Sequence, residues 1–188
     1  NDPLTNRQIS NGFVISASRV GNDLRTHVPR DLAVCDACMH DVRTVDSAKH
    51  QYALTSCTQC GPRYSLIFQM PFDRERTSMT AFPLCDRCLQ EYLDPADRRF
   101  HAQTNACASC GPRCYADRNG QRVAEGHAAI RAAADEVRHG KILALKGLGG
   151  YQLVCDATSD DAVRLLRDRK GRPRKPLAVM VPTIDQAR

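Results

Sequence analysis

The apolar positions of the chain predict regular helices only in its last third. Residues 128–139 carry apolar side chains at helical spacing, and Gly140 follows where a helix would end. Ser159 is placed to cap a second helix over residues 160–169, whose alanine, valine and leucine positions would face inward. Two amphipathic helices are therefore expected in this part of the chain.

Short apolar runs lie between and after these helices. The run 142–145 is typical of a buried strand, residues 147–150 form a glycine-rich turn, and residues 151–156 predict a second strand. Residues 176–181 predict a further strand. Because helices and strands alternate from about the Asn-Gly turn at 119–120 onward, residues 119–188 are assigned to an α/β domain.

The first two thirds of the chain have a much thinner core. Residues 12–16 alternate like a short strand, and residues 1–34 are interpreted as a lead-in from a preceding domain. Hydrophobic residues make up 42% of the chain but aromatic residues only 5%, and there is no tryptophan. Such a stretch buries too little apolar surface to offset the entropy of ordering it, so a second stabilising interaction is expected.

Eight of the ten cysteines supply that interaction. They form four C-x-x-C pairs in two blocks of identical C-x2-C-x18-C-x2-C spacing. The pairs are Cys35/Cys38, Cys57/Cys60, Cys85/Cys88 and Cys107/Cys110. Two C-x-x-C turns provide the four thiolates of a tetrahedral zinc site. The spacing therefore predicts two structural Zn2+ sites in a tandem finger region at residues 35–118, with one metal per block as the simplest pairing and an interleaved pairing as the alternative.

The two blocks are an internal duplication with an offset of 50 residues. Cys-Gly-Pro-Arg follows in both copies, at residues 60–63 and 110–113. Gly61 and Gly111 are expected to adopt positive φ so that backbone amides can turn toward sulfur. A short helical turn is expected after the first cysteine pair of each block.

A disulfide framework is the competing interpretation of the cysteines. No apolar run approaches the length of a membrane span, and no secretory leader begins the chain. We therefore expect a cytoplasmic protein, in which thiolates remain available for metal. The chain starts without Met and stops soon after Thr183, a candidate helix cap, so we expect a fragment of a longer polypeptide.

Positive charge is concentrated in one segment. The net charge is +6, and six of the nine residues at 167–175 are basic. A solvated helix end is the plain explanation. The alternative is an anion clamp that grips phosphate oxygens. Its candidate members are Lys146, before the glycine-rich turn, together with Lys170, Arg172 and Lys175.

Three further residues have ordinary structural explanations. Cys114 and Cys155 stand outside the paired cysteines and are expected to be small, partly buried apolar residues. His101 lies close to the second block, but four cysteines already complete a site, so we expect a hydrogen-bonded structural histidine.

These motifs together resemble the HypF-type carbamoyltransferases of [NiFe]-hydrogenase maturation. The resemblance rests on both cysteine blocks, the paired Cys-Gly-Pro-Arg motifs, residues 94–103 (Asp-Pro-Ala-Asp-Arg-Arg-Phe-His-Ala-Gln), and Lys-Gly-Leu-Gly-Gly-Tyr at 146–151. It extends from about Ile15 onward. It implies that residues 119–188 are the truncated N-terminal part of a YrdC-like nucleotide-binding domain, in which Lys170-Gly-Arg172 is the Lys-x-Arg motif.

The resemblance also implies a reaction. In the family, an acylphosphatase-like domain cleaves carbamoyl phosphate, and the YrdC-like domain joins the carbamate to ATP with Mg2+, which gives carbamoyl adenylate. A further domain passes the carbamoyl group to the C-terminal cysteine of a partner maturation protein, for the cyanide ligands of the hydrogenase. No catalytic residue of this chain is assigned, and the alternatives are a zinc-ribbon nucleic-acid-binding module or a structural bridge without activity of its own.

Overall fold

The computed structural model describes residues 27–188, so the strand expected at 12–16 lies outside the described part. The described helices are α1 (Asp36–Arg43), α2 (Asp86–Leu93), α3 (Gly126–Arg138) and α4 (Asp160–Lys170). The described strands are β1 (Tyr115–Arg118), β2 (Gln121–Glu125), β3 (Leu143–Gly147) and β4 (Gly150–Val154). The chain is thus a mixed helical and sheet protein in which two finger-like segments precede an α/β portion.

Two compact units are interleaved along the sequence. The first comprises the described part of Asn1–Val34 together with Ser56–Asn105, and the second comprises Cys35–Thr55 and Ala106–Arg188. Each unit therefore takes one half of each cysteine block. Sequence repeats alone do not predict this division, because it depends on contacts between residues about 50 positions apart.

The first unit is built mainly from short turns and α2. Single 3-10 turns occupy Tyr64–Leu66, Arg74–Arg76 and Ser78–Ala81. The Arg74 guanidinium ties them to the second block, since it donates to the carbonyl oxygens of Gln103, Asn105 and Phe82 at 2.6–2.9 Å. The arginine thus supplies hydrogen bonds to backbone carbonyls that have no partner in a helix or sheet. These hydrogen bonds add stability to a unit with a small apolar core.

The second unit contains α1 and the α/β portion. Strands β1 and β2 form an antiparallel hairpin that turns at Asn119 and Gly120. Both of these residues have positive φ, as the Asn-Gly turn signal predicts. Helix α3 packs against both strands. Strands β3 and β4 form a second antiparallel hairpin, which pairs Lys146 with Tyr151.

The helices of the C-terminal third agree with the sequence pattern. Helix α3 begins two residues before the predicted start, and Gly140 has φ 74° just after its end. Helix α4 is capped by the Ser159 hydroxyl, which accepts a hydrogen bond from the Ala162 amide. Its buried residues are Ala162 and Leu166; Leu165, which we expected to face inward, is 38% exposed.

Two strand predictions require correction. The run at 142–145 was expected to be buried, but the middle of β3 is exposed, including Leu145 at 48%. The reason is that the β3–β4 sheet is only two strands wide and leaves its faces accessible. Residues 176–181 do not form a strand, because no strand of the described residues pairs with them. Among residues 27–188 no helix is long and apolar enough to cross a membrane.

Candidate metal centres

The eight paired cysteines gather into two quartets. One contains Cys35, Cys38, Cys57 and Cys60, and the other contains Cys85, Cys88, Cys107 and Cys110. Within each quartet the sulfur atoms all lie within 4.8 Å of one another. The quartets therefore follow the sequence blocks, and the interleaved pairing is not formed.

Each quartet is assembled from a helix N-terminus and a tight turn. Cys35 and Cys85 precede α1 and α2, while Cys38 and Cys88 lie in the first helical turns and are completely buried. The helices begin between the two cysteines of the first pair in each block, rather than after that pair as we expected. A helix N-terminus favours negative charge, so it suits a thiolate.

The second pair of each quartet lies in a turn that we call the knuckle: residues 57–63 in the first block and 107–113 in the second. The Cys60 amide donates to the Cys57 carbonyl at 3.4 Å, and the Cys110 amide to the Cys107 carbonyl at 3.2 Å. The Gln59 amide also points at the Cys57 sulfur at 3.4 Å. The two amide-to-carbonyl bonds close the turns, and the Gln59 amide orients the Cys57 sulfur and stabilises its negative charge.

The sulfur separations fit a tetrahedral zinc ion. The Sγ atoms of Cys57 and Cys60 are 3.7 Å apart, as are those of Cys107 and Cys110. A Zn–S distance of about 2.3 Å places sulfurs about 3.8 Å apart at tetrahedral angles. A disulfide bond is about 2.05 Å long, so neither of these pairs is cross-linked. Four-cysteine donor sets are typical of structural zinc rather than catalytic zinc.

The two knuckle glycines have different reasons for being glycine. Gly61 has φ 90°, as we predicted. Gly111 does not have a positive φ, so the prediction of a left-handed glycine was wrong for the second block. A Cβ atom on Gly111 would overlap the Tyr52 hydroxyl and lie 2.6 Å from the Ala106 Cβ. Close approach of a neighbouring side chain, rather than a left-handed backbone, excludes other residues there.

The residues outside the quartets behave largely as ordinary structural groups. The His101 ring packs against Tyr92 and Phe100, with centroid separations of 4.9 and 4.4 Å. His101 itself has φ 54°, and its repeat equivalent Gln51 has φ 57°. This shared left-handed residue was not predicted: glutamine carries no signal for positive φ, although histidine is among the residues enriched there. Cys114 and Cys155 are partly buried and belong to neither quartet.

The basic segment after α4 is folded by one of its own arginines. Gly171 ends the helix in the left-handed conformation, and the Arg167 guanidinium donates to the carbonyl oxygens of Arg172 and Lys175 at 3.1 and 3.0 Å. Arg172 donates to the Pro176 carbonyl at 2.8 Å, and its buried Nε has no hydrogen-bond partner among residues 27–188. Arg167 was not among the predicted site residues, and its role here is to shape the loop.

Lys146 lies on β3, in the β3–β4 hairpin, which belongs to the same compact unit as α4 and the basic segment. Its ammonium group is 5.3 Å from the centroid of the Tyr151 ring, its partner across the hairpin. Gly149 in the connecting turn has φ 78°. The four cationic candidates are thus placed on β3, at the end of α4 and in the loop that follows, and their joint action on an anion stays a prediction.

Two quartets on a duplicated finger, followed by helices and small sheets, define a tandem zinc-finger protein with an α/β portion. The family described as HypF finger matches residues 34–67 and 84–116, and the Sua5/YciO/YrdC family, described as Telomere recombination, matches residues 135–188. The chain belongs to the HypF family, as its motifs predicted.

Curated relatives are similar along nearly the whole chain. The carbamoyltransferase HypF of Rhodobacter capsulatus is 47% identical over 94% of this chain, and that of Synechocystis is 46% identical over 93%. The chain spans 23% of the length of each of these relatives.

Two solved structures are also similar. A full-length HypF in the phosphate- and nucleotide-bound form has a TM-score of 0.72 and 39% identity, over 84% of this chain and 20% of that one. The HypF of T. kodakarensis has a TM-score of 0.76 and 40% identity, over 86% of this chain and 21% of that one.

Proposed function

We propose that this chain is the finger and nucleotide-binding part of a carbamoyltransferase of [NiFe]-hydrogenase maturation. The observation that carries the proposal is the 47% identity, over 94% of the chain, to a protein named carbamoyltransferase HypF. The match runs through both quartets and the basic segment. A relative solved in a phosphate- and nucleotide-bound form supports nucleotide chemistry in the longer protein.

The whole protein would consume carbamoyl phosphate and ATP. Carbamate released from carbamoyl phosphate attacks the α-phosphorus of ATP, which gives carbamoyl adenylate and releases pyrophosphate. The carbamoyl group then passes to the C-terminal cysteine of a partner maturation protein, and AMP leaves. Mg2+ would accompany the ATP, and the other segments of the protein would supply the first and last steps.

In this chain, the basic groups would hold the phosphates of ATP. Lys170 and Arg172 flank Gly171, and Lys175 follows in the loop that Arg167 folds. Lys146 beside the glycine-rich turn would add a further cation. Ammonium and guanidinium groups stabilise the negative charge that moves between the attacking carbamate and the leaving pyrophosphate.

The eight cysteines of the quartets would bind two structural zinc ions. When bound, each ion supplies a cross-link between a helix N-terminus and a knuckle, in a segment with few large buried side chains. No open coordination position remains when four cysteines bind, so we assign the metal no chemical step. The reducing cytoplasm predicted from the sequence would keep these thiolates available.

A double variant tests the proposal in the full-length protein. Lys170→Ala with Arg172→Ala is expected to abolish carbamate-dependent ATP–pyrophosphate exchange, while elemental analysis still finds two zinc ions. Arg174→Ala is the matched control, because it removes a charge from the same segment but not from the proposed set, and it should retain most of the exchange activity. Normal exchange in the double variant would refute the phosphate-binding role.

The same preparation distinguishes the alternatives. A nucleic-acid-binding module would retain RNA with a steep dependence on salt in filter binding, because phosphate contacts release counterions. A structural bridge would show neither RNA binding nor any effect of the double variant on exchange. We expect no RNA retention at physiological salt.

A further inference from the structure

The two quartets have the same cysteine spacing but differ in how their knuckles are supported. The arginines that end the Cys-Gly-Pro-Arg motifs, Arg63 and Arg113, are equivalent in sequence. Arg63 is buried, with 8% of its surface exposed, whereas Arg113 is exposed. The duplication therefore preserved the residue but not its environment.

The backbone of the first knuckle, which ends at Arg63, surrounds the Arg63 guanidinium. Its Nη1 donates to the carbonyl oxygens of Cys60 and Pro62 at 2.8 and 2.9 Å, and its Nη2 donates to those of Cys57 and Thr58 at 2.9 Å each. Two of these four carbonyls belong to the cysteines of the quartet. The planar donor fork of arginine fixes such a set of acceptors in a way that a lysine ammonium cannot.

Further contacts hold Arg63 in this position. Its backbone amide donates to the Asp31 carboxylate at 2.6 Å, and Leu32 pairs with Gly61 through two backbone hydrogen bonds of 3.0 Å. The Phe72 ring lies near the guanidinium, 5.8 Å from its carbon to the ring centroid. The first knuckle is therefore held by hydrogen bonds from the Arg63 guanidinium to its carbonyls and by hydrogen bonds between its backbone and the segment that carries Asp31.

The second knuckle lacks this arrangement. Among the described residues, the Arg113 guanidinium donates one hydrogen bond, from Nε to the Ala108 carbonyl at 3.0 Å. Cys60 is completely buried, whereas its equivalent Cys110 is partly exposed. The second quartet thus has a less constrained knuckle and a more exposed cysteine at this position.

We propose that Arg63 is a positioning residue for the first metal site, and that the first quartet consequently holds its zinc far longer than the second. This proposal rests on the proposed binding of zinc by the quartets. Four thiolates around one zinc ion carry a net negative charge, which a buried guanidinium offsets at close range. Opening the first knuckle would also leave that buried cation and four carbonyls without partners, and this cost slows metal release.

Metal release from the zinc-loaded full-length protein tests the proposal. Wild type should lose its two zinc ions to a chelator in two separate phases. Arg63→Gln and Arg63→Lys should speed the slow phase about tenfold or more, because loss of about 1.4 kcal/mol corresponds to one factor of ten. Arg113→Gln and Arg113→Lys are the matched controls and should change either phase less than about twofold, as expected for an exposed side chain.

Cadmium substitution provides a readout that general destabilisation would not produce. The 113Cd spectrum of the loaded protein should show two signals, and Arg63→Lys should shift or broaden one of them while the other is unchanged. If Arg63→Gln fails to fold, alkylation of wild type during chelation gives the same information: Cys107 and Cys110 should be modified before Cys57 and Cys60.

Each contrary result has a separate meaning. A wild-type protein that binds no metal would refute the zinc sites themselves. Two bound ions that leave wild type in a single phase, or arginine variants with equal effects at the two positions, would overturn only the role of Arg63. Modification of all four knuckle cysteines at one rate would overturn it as well.

Discussion

The Tyr52 hydroxyl donates a hydrogen bond to the Pro112 carbonyl at 3.1 Å, across 60 positions of the chain. It joins the loop of the first block to the knuckle of the second. In the first unit, residues of the second block contact the start of the first knuckle. The Thr58 hydroxyl donates to the Arg98 carbonyl at 3.1 Å, and the Arg99 Nε donates to the carbonyl of the preceding Ser56 at 3.2 Å. Each block therefore supports the knuckle of the other, and the two fingers do not form separate folding units.

The Tyr52–Pro112 contact requires that residue 111 be glycine. Gly111→Ala is expected to lower the free energy of unfolding by about 2–3 kcal/mol, because overpacking a filled site costs about that much. Tyr52→Phe in the same background should recover part of the loss, since it removes the atom closest to the added methyl group. Denaturant unfolding of the zinc-loaded protein measures both effects.

Gly150→Ala is the control for this substitution. Gly150 has no positive φ, and a Cβ atom there would meet no atom within 4 Å. We expect its effect to stay within about 0.5 kcal/mol, as for most surface changes. Equal losses for the two alanine variants would mean that the close approach of Tyr52 is not what requires glycine at position 111.

Loss of the second quartet should loosen a loop of the first block. In Cys107→Ser, we expect faster amide hydrogen exchange at residues 49–55 as well as in the second knuckle, because Tyr52 then loses an ordered partner. The affected amides include those of Tyr52 and Thr55, which donate to the Lys49 and Tyr52 carbonyls. Cys155→Ser, which removes a cysteine outside the quartets, should leave these amides protected. Unchanged exchange at 49–55 in Cys107→Ser would argue that the fingers are independent.

The quartets could be predicted from sequence because their chemistry is local. Each C-x-x-C turn brings two sulfurs together, and the repeated spacing shows which pairs belong to one block. The cap at Ser159 and the turn at Asn119 were predictable for the same reason, since each depends on a few neighbouring residues. The positive φ of Gly61 also followed from its place in the knuckle.

Contacts between distant residues were not predictable in this way. The different reason for Gly111 depends on Tyr52, and the different roles of Arg63 and Arg113 depend on where Asp31 and Phe72 fold. The Cys-Gly-Pro-Arg motif is identical in the two blocks and therefore gave the same prediction for both, although the surroundings of the two copies differ. The strand expected at 176–181 failed for a related reason, because a strand requires a pairing partner that its own sequence does not reveal.

The start of α4 offers a local test near the basic segment. Ser159→Ala is expected to lower the free energy of unfolding by about 1 kcal/mol, because the hydroxyl satisfies the otherwise unpaired Ala162 amide. Ser159→Asp should retain most of the stability, since aspartate is also a good capping residue and favours a helix N-terminus. Thermal unfolding measures both variants. A loss in Ser159→Asp as large as in Ser159→Ala would show that the cap contributes little.

The Asp31 carboxylate should contribute stability that depends on pH. The Arg63 amide is the main cause that holds the pKa of Asp31 below its usual value of 3.8; partial desolvation opposes this effect, and the amide and hydroxyl of Ser65 reinforce it. A carboxyl whose folded pKa is lowered stabilises the protein above its unfolded pKa, and the contribution is lost as the pH falls through the folded value. The stabilisation should therefore be constant from pH 7 to pH 5 and disappear only below 3.8.

Asp31→Asn tests this expectation against wild type. Its hydrogen bonds to the Arg63 and Ser65 amides would become weaker, because a neutral amide oxygen is a poorer acceptor than a carboxylate. The residue is exposed, so we expect a loss of less than about 1 kcal/mol at neutral pH. Denaturant midpoints at several pH values measure the gap between the two proteins. A gap that widens as the pH falls from 7 to 5 would place the folded pKa above its usual value, opposite in sign to the effect of these hydrogen bonds.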